Sequence, residues 1–234
     1  MARWPRLVVP GNPVHVIQRG NNRTPTFHSA DDFERYRETL CDTSRRFGCA
    51  IHAYVLMTNH VHLLVTPDDE RGLSRMMQTI GRRYVRYVNA RNHRTGTLWE
   101  GRFKSAVVDS ERYFFACSRY IELNPVRARM VDEPNRYRWS SHRHNAHGET
   151  DALIAPHMLY HALGSSPADR QVAYRALFRA PMEPQTLDGI RRATNRGVVL
   201  GGAGFCDRIE GMLGRRVSRL PHGGDRRRAA FQQL

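Results

Sequence analysis

Lysine is almost missing from this sequence: Lys104 is the only one in 234 residues. The cations are arginines. A GC-rich coding preference accounts for that choice, but not for the excess of cations over carboxylates. Cysteine is scarce too. Cys41, Cys49, Cys117 and Cys206 show no CxxC spacing, which argues against a disulfide frame and against a thiolate zinc site. No apolar run approaches the roughly 18 residues of a membrane span. No helix pairs a basic face with an exposed apolar one, and no lipidation signal is present, so no membrane partner is expected. Met1 to Arg6 contain no apolar signal core, so a cytoplasmic location is expected.

What is present is charge of one sign. The formal net charge is +15, which points to a polyanionic partner and hence to nucleic acid, with nucleoid association following from it. A hydrophobic fraction of 40% is ordinary for a globular chain, and the length suffices for one good core plus a small second unit.

Residues 13–19 are rich in strand formers and end at the turn signal Gly20-Asn21-Asn22. Ser29 to Phe47 reads as a helix, with Asp31 and Asp32 where the helix dipole favours anions. Ala50–Met57 and His60–Val65 read as strands around a tight turn at Thr58-Asn59. Gly72 to Asn92 is an amphipathic helix: Leu73, Met76, Met77, Ile80, Tyr84, Tyr87 and Val88 share one side, while Arg75, Arg82 and Arg86 share the other. Arg102–Val108 reads as a fourth strand, followed by a helix from Glu111 to about Asn124 that Pro125 weakens or ends. This order predicts an α+β fold: a ferredoxin-like split βαβ domain, an antiparallel sheet with helices on one face.

The character changes near residue 147. Domains are expected at 1–147, catalytic, and 148–234, a helical, basic C-terminal region with a flexible tail at Arg226-Arg227-Arg228. Ser166-Pro167-Ala168-Asp169 is a strong helix start, and further short helices are expected near 186–195 and 203–213. Two readings of this region stand. It grips hairpin DNA across a flexible joint at Gly197, Gly201, Gly202 and Gly204, or it caps the catalytic sheet.

His60 and His62 are two apart on a predicted strand, so both imidazoles share one face and can ligate one cation. His142-Arg143-His144 has the same spacing but reads as a solvated polar loop. Tyr120 and Asn124 are four apart on a helix and share its face. Tyr113 and Cys117 continue that stripe, so spacing alone favours a core reading and does not choose between Tyr113 and Tyr120. Asn124 tells against a pure core stripe, because a buried amide needs partners. A cation beside a tyrosine suits phosphodiester chemistry: the cation neutralises charge building on phosphate, and a phosphotyrosine conserves the bond energy for rejoining. Imidazole and amide oxygen ligands suit Mg2+ or Mn2+.

Five motifs now stand in order: His15-Val16-x-x-Arg19-Gly20-Asn21, Tyr54 to Leu63 around His60-Val61-His62, Trp99-Glu100-Gly101-Arg102-Phe103-Lys104, Arg119 to Ala128 around Tyr120, and Trp139-Ser140-Ser141. Together they resemble the REP-associated tyrosine transposases, single-tyrosine HUH enzymes of insertion-sequence type, over about residues 1–145. The resemblance implies a metal-dependent single-stranded DNA endonuclease and strand transferase with a 5′-phosphotyrosine intermediate, acting on hairpin-forming palindromic repeats. It implies His60, His62 and Asn124 as metal ligands and Tyr120, not Tyr113, as nucleophile. A homodimer that exchanges the tyrosine helix and a monomer are both known arrangements of such enzymes. DNA contacts are expected from Arg19, Asn21, Arg75, Arg82, Arg86, Arg102 and Lys104. Competing readings are a relaxase or replication initiator of HUH type, and a non-catalytic DNA-binding regulator that keeps the fold. An RNA-binding module of this fold should carry aromatics on its central strands, and none is found.

Overall fold

The computed structural model describes residues 6–217. The chain runs β1 (Val14–Arg19), α1 (Ala30–Arg46), β2 (Cys49–Met57), β3 (His60–Pro67), α2 (Gly72–Arg91), β4 (Lys104–Val107), α3 (Ser110–Glu122) and α4 (Asn124–Arg127), and continues with α5 (His142–His147), α6 (Met158–His161), α7 (Pro167–Ala176), α8 (Pro184–Arg196) and α9 (Ala203–Leu213). The strands form one antiparallel sheet in the order β2-β3-β1-β4, the split βαβ arrangement expected of an α+β ferredoxin-like domain.

Local chemistry explains the boundaries. At the start of α1 the Ser29 N–H donates to the Asp32 carboxylate at 3.1 Å, and Ser166 and Asp169 form a reciprocal capping box at the start of α7. α3 ends at Glu122 with Leu123 as its C-cap, close to the end expected before Pro125. Pro125 then opens α4, because a missing N–H costs nothing at a first-turn position. The break at Leu123 leaves Tyr120 on α3 and Asn124 at the start of α4, not on one helix as expected.

The strands alternate faces. Val14, Val16, Val61, Leu63 and Val65 face α1 and α2, and the α2 stripe Leu73, Met76, Met77, Ile80, Tyr84 and Val88 is buried against them. Each such side chain contributes roughly 1.5–3 kcal/mol of burial. Val55, Met57, Leu64 and Ala106 face the other way, where Phe114, Cys117 and Ile121 of α3 cover them together with Ile190 and Ala193 of α8.

The C-terminal region is built onto this frame. The Leu200 N–H donates to the Val107 carbonyl and the Asp109 N–H to the Leu200 carbonyl, both 2.8 Å, so residues just past α8 pair alongside β4. Gly197 takes φ +68° to end α8, a conformation suited to glycine. The glycines expected to form a flexible joint therefore flank a segment tied to the sheet. Arg226–Arg228 lie outside the described residues.

His142 corrects the sequence reading. It is not in a solvated loop but begins α5, 4% exposed, with Nδ1 3.0 Å from the Glu122 carboxylate. The segment looks polar because its polar groups serve a buried carboxylate supplied from elsewhere in the chain.

Candidate active site

β1 and β3 pair in the register Ile17↔His62 and Arg19↔His60. Side chains of paired residues point to the same face, so His60, His62 and the alternate β1 residue His15 meet under α3. The His15 and His62 rings stack at 5.1 Å, and each lies 5.6 Å edge-on from the Tyr120 ring. The His60 and His62 rings are 5.1 Å apart at nearly right angles. Tyr120, 7% exposed, thus covers the histidine pair.

A chain of hydrogen bonds fixes the protons. The Thr194 hydroxyl donates to the Ile190 carbonyl at 2.9 Å, so its oxygen accepts from His15 Nδ1 at 2.7 Å. Burial lowers the His15 pKa to about 3, so the ring is neutral and its Nε2 accepts. His62 Nδ1 therefore donates to it at 2.9 Å, which leaves the lone pair on His62 Nε2. His60 Nδ1 donates to the Asn59 side-chain oxygen at 2.7 Å, leaving its lone pair on Nε2 likewise. Burial, then Arg19, lowers the His60 pKa to about 4. Burial, then His15, His60, Arg127 and Arg19, holds His62 well below its ordinary value. Both imidazoles are thus neutral near pH 7, with Nε2 ready to ligate.

Among the described residues no group of three or more His, Cys, Asp or Glu side chains is arranged to hold a metal ion. A cation on His60 and His62 therefore needs an oxygen of another kind. Asn124 lines the same cleft, and its side-chain N–H donates to the Tyr120 carbonyl at 3.1 Å, which leaves its amide oxygen for a ligand. Two neutral imidazoles and one amide oxygen fit a hexacoordinate Mg2+ or Mn2+ completed by water or phosphate oxygens.

Arg127 was missed by the sequence reading. Its guanidinium sits 4.5 Å over the Tyr120 ring and also donates to the Tyr120 carbonyl. Burial lowers its pKa to about 10 against the opposing effect of Tyr120, so it remains a cation at neutral pH. The cleft has a volume of about 400 Å³ and is lined by Arg19, Arg102, Lys104, Arg127 and Arg191 against one carboxylate, Glu100. Arg191, Thr194 and Asn195 come from α8, where no site residue was expected. His15 could have been found by its alternation on β1, but only with the β1–β3 register in hand.

Arg19, Arg102 and Lys104 therefore stand with His60, His62, Tyr120 and Asn124 in one cleft. Asn21 is exposed in the turn after β1, its N–H bound to the Leu98 carbonyl. Arg75, Arg82 and Arg86 lie elsewhere, along α2 on the opposite side of the sheet, and Arg102 borders both places.

The fold is also that of known proteins. A structure described as the REP-associated tyrosine transposase bound to a REP hairpin superposes with a TM-score of 0.54 at 19% identity, covering 67% of this chain and 93% of that one. A putative transposase from Deinococcus radiodurans R1 aligns at 20% identity over 49% of this chain and 93% of its own, with a TM-score of 0.36, too low to carry a conclusion. No curated protein matches the sequence. Residues 9–124, which hold every strand, the histidine pair, Tyr120 and Asn124, match the family model of IS200-like transposases, and by that match the chain belongs to the IS200-like transposase family.

Proposed function

We propose that this transposase cleaves and rejoins single-stranded DNA through Tyr120, forming a 5′-phosphotyrosine, at hairpin-forming palindromic repeats of the REP kind. The observation that carries the reading is Tyr120 lying over two neutral histidines whose Nε2 lone pairs are free for a cation. The Tyr120 oxygen attacks phosphorus, the P–O bond to the 3′ oxygen breaks, and that oxygen leaves as a 3′ hydroxyl with a proton. Arg127, above the ring, stabilises negative charge as the phenol loses its proton. Arg19, Arg102 and Lys104 hold the phosphates of the strand in the cleft. His60, His62 and Asn124 would hold Mg2+ or Mn2+, which supplies charge neutralisation at the non-bridging phosphate oxygens. Residues 1–147 carry this chemistry, and the α8 residues of 148–234 complete the cleft wall.

The test is a labelled hairpin-bearing single strand incubated with the protein and Mg2+. The wild type gives a covalent protein–DNA adduct. Tyr120→Phe gives none yet binds the strand with nearly unchanged affinity, because only the nucleophilic oxygen is lost. An adduct of normal yield from the variant would refute Tyr120. DNA binding with no adduct from the wild type would favour the non-catalytic regulator.

A further inference from the structure

The hydrogen-bond chain behind His62 ends on α8, in the C-terminal region. All three members are buried: Thr194 is 3% exposed, His15 1% and His62 2%. His15 uses both ring nitrogens inside the chain, one on the Thr194 oxygen at 2.7 Å and one on His62 Nδ1 at 2.9 Å. It has no nitrogen left for a cation, for DNA or for the Tyr120 oxygen. Any part it plays in the cleft is played through His62.

A chain of this kind has two arrangements. In the first, His15 Nδ1 donates to Thr194, His15 Nε2 accepts from His62 Nδ1, and His62 Nε2 is bare. In the second, the Thr194 hydroxyl donates to His15 Nδ1 and His15 Nε2 donates to His62 Nδ1. The His62 proton then sits on Nε2 and blocks ligation. Both arrangements satisfy the bonds between the two rings. The Thr194 hydroxyl separates them. The Ile190 carbonyl, one helical turn earlier, lies 2.9 Å from it, and a hydroxyl has a single proton. Donation to that carbonyl leaves only lone pairs for His15, so α8 selects the first arrangement.

The seat of α8 is well defined. Ile190 and Ala193 are buried against the sheet and α3, Asn195 accepts from Lys104 Nζ at 3.0 Å, and Leu200 beyond the helix pairs alongside β4. His60 makes a contrast, because its proton is fixed within its own turn. Asn59 donates its amide N–H to the Arg23 carbonyl at 2.9 Å, which aims its oxygen at His60 Nδ1. The two histidines of the pair thus take their tautomers from independent partners, one in the β2–β3 turn and one in the C-terminal region.

We propose that His15 and Thr194 are positioning residues that hold His62 in its ligating tautomer, so that α8 is a working part of the metal centre and not only a wall of the cleft. His62 presents a bare Nε2 while α8 is seated on the sheet, and loses that selection when the Thr194 hydroxyl is withdrawn. The inference rests on the reading of His62 as a metal ligand.

The test is nitrogen NMR of isotope-labelled histidines before any metal is added, followed by calorimetric titration with Mn2+. Long-range proton–nitrogen couplings tell a protonated ring nitrogen from a bare one. In the wild type the His62 proton should lie on Nδ1. Thr194→Val keeps the shape of the side chain and removes the hydroxyl, so that proton should shift towards Nε2 and Mn2+ affinity should fall about tenfold, the lower end of what loss of an outer partner costs a metal site. Thr194→Ser restores the hydroxyl and should restore both readings. His15→Phe keeps a ring against His62 but removes the acceptor, and should move the same proton and weaken Mn2+ at least as much. The two variants break different links, so either alone tests the chain if the other does not fold. His60 is the internal standard, with its proton on Nδ1 throughout. A wild-type His62 proton on Nε2, a proton unmoved in the variants, or a serine variant as weak as the valine one overturns the proposal. A loss of affinity without a shifted proton also overturns it, because packing then explains the loss. If Mn2+ binds the wild type and both variants equally, the reading of His62 as a ligand survives without the relay. If the proton shifts as stated but the wild type binds no Mn2+, the relay stands and that reading fails.

Discussion

Replacing Glu122 by alanine tests what holds the tyrosine helix to the rest of the molecule. Glu122 closes α3 two residues after Tyr120 and is 0% exposed. One carboxylate oxygen accepts from the Ser141 hydroxyl at 2.5 Å and the Asn145 amide at 2.9 Å. The other accepts from His142 Nδ1 and the Tyr174 hydroxyl, each at 3.0 Å. Four donors on α7, on α5 and just before α5 therefore converge on one buried group. Removing it leaves all four without that acceptor, and breaking a buried network of this kind costs about 3–5 kcal/mol. For a chain of this size each kcal/mol moves the melting temperature by about 2–4 °C. Glu122→Ala should thus melt about 6–20 °C below the wild type in scanning calorimetry, with circular dichroism at low temperature reporting that it still folds. Glu122→Gln keeps the volume and one acceptor oxygen, so it should fall less. A shift below about 2 °C for the alanine variant would refute the view that this carboxylate clamps α3, α5 and α7 together.

Other outcomes follow from the same structure. His60→Ala and His62→Ala should each weaken Mn2+ binding in a calorimetric titration, and wild-type affinity in both would put the metal elsewhere. His142→Ala should lower the melting temperature without changing Mn2+ affinity, because His142 serves Glu122 and not the cleft. Stability should also fall on acidification. Burial, partly offset by a hydrogen bond to the Ala155 carbonyl, lowers His52 to about 4 in the fold against 6.5 in the unfolded chain. The unfolded state therefore binds the extra proton between these values, so this contribution is complete above pH 6.5 and is lost as pH falls towards 4, about 3 kcal/mol in all. Urea midpoints at neutral pH and near pH 4.5 should differ less in His52→Gln, and an equal pH slope would exclude His52 as a source. Truncation after residue 147 should give an insoluble or unfolded protein, since it strips Tyr174, Ile190, Thr194 and Leu200 from the interior. A soluble, cooperatively melting fragment would mean that the C-terminal region folds apart.

The sequence by itself determined much of the local structure. Alternation on β3 put His60 and His62 on one face, and the acids Asp31 and Asp32 and the cap at Ser166 marked two helix starts. Each of these depends on residues close in the chain, where backbone geometry leaves few choices. Tertiary structure decided what depends on neighbours far apart in sequence. The β1–β3 register brought His15 under Tyr120. The break at Leu123 laid Arg127 over the ring. α8 supplied Thr194 from 179 residues beyond His15, and so set which imidazole nitrogen carries the proton. Buried partners also turned His142 from a surface residue into a structural one. Spacing reports which face a side chain takes; only the packed sheet decides what that face meets, because desolvation and hydrogen-bond partners come from elements that sequence distance does not connect.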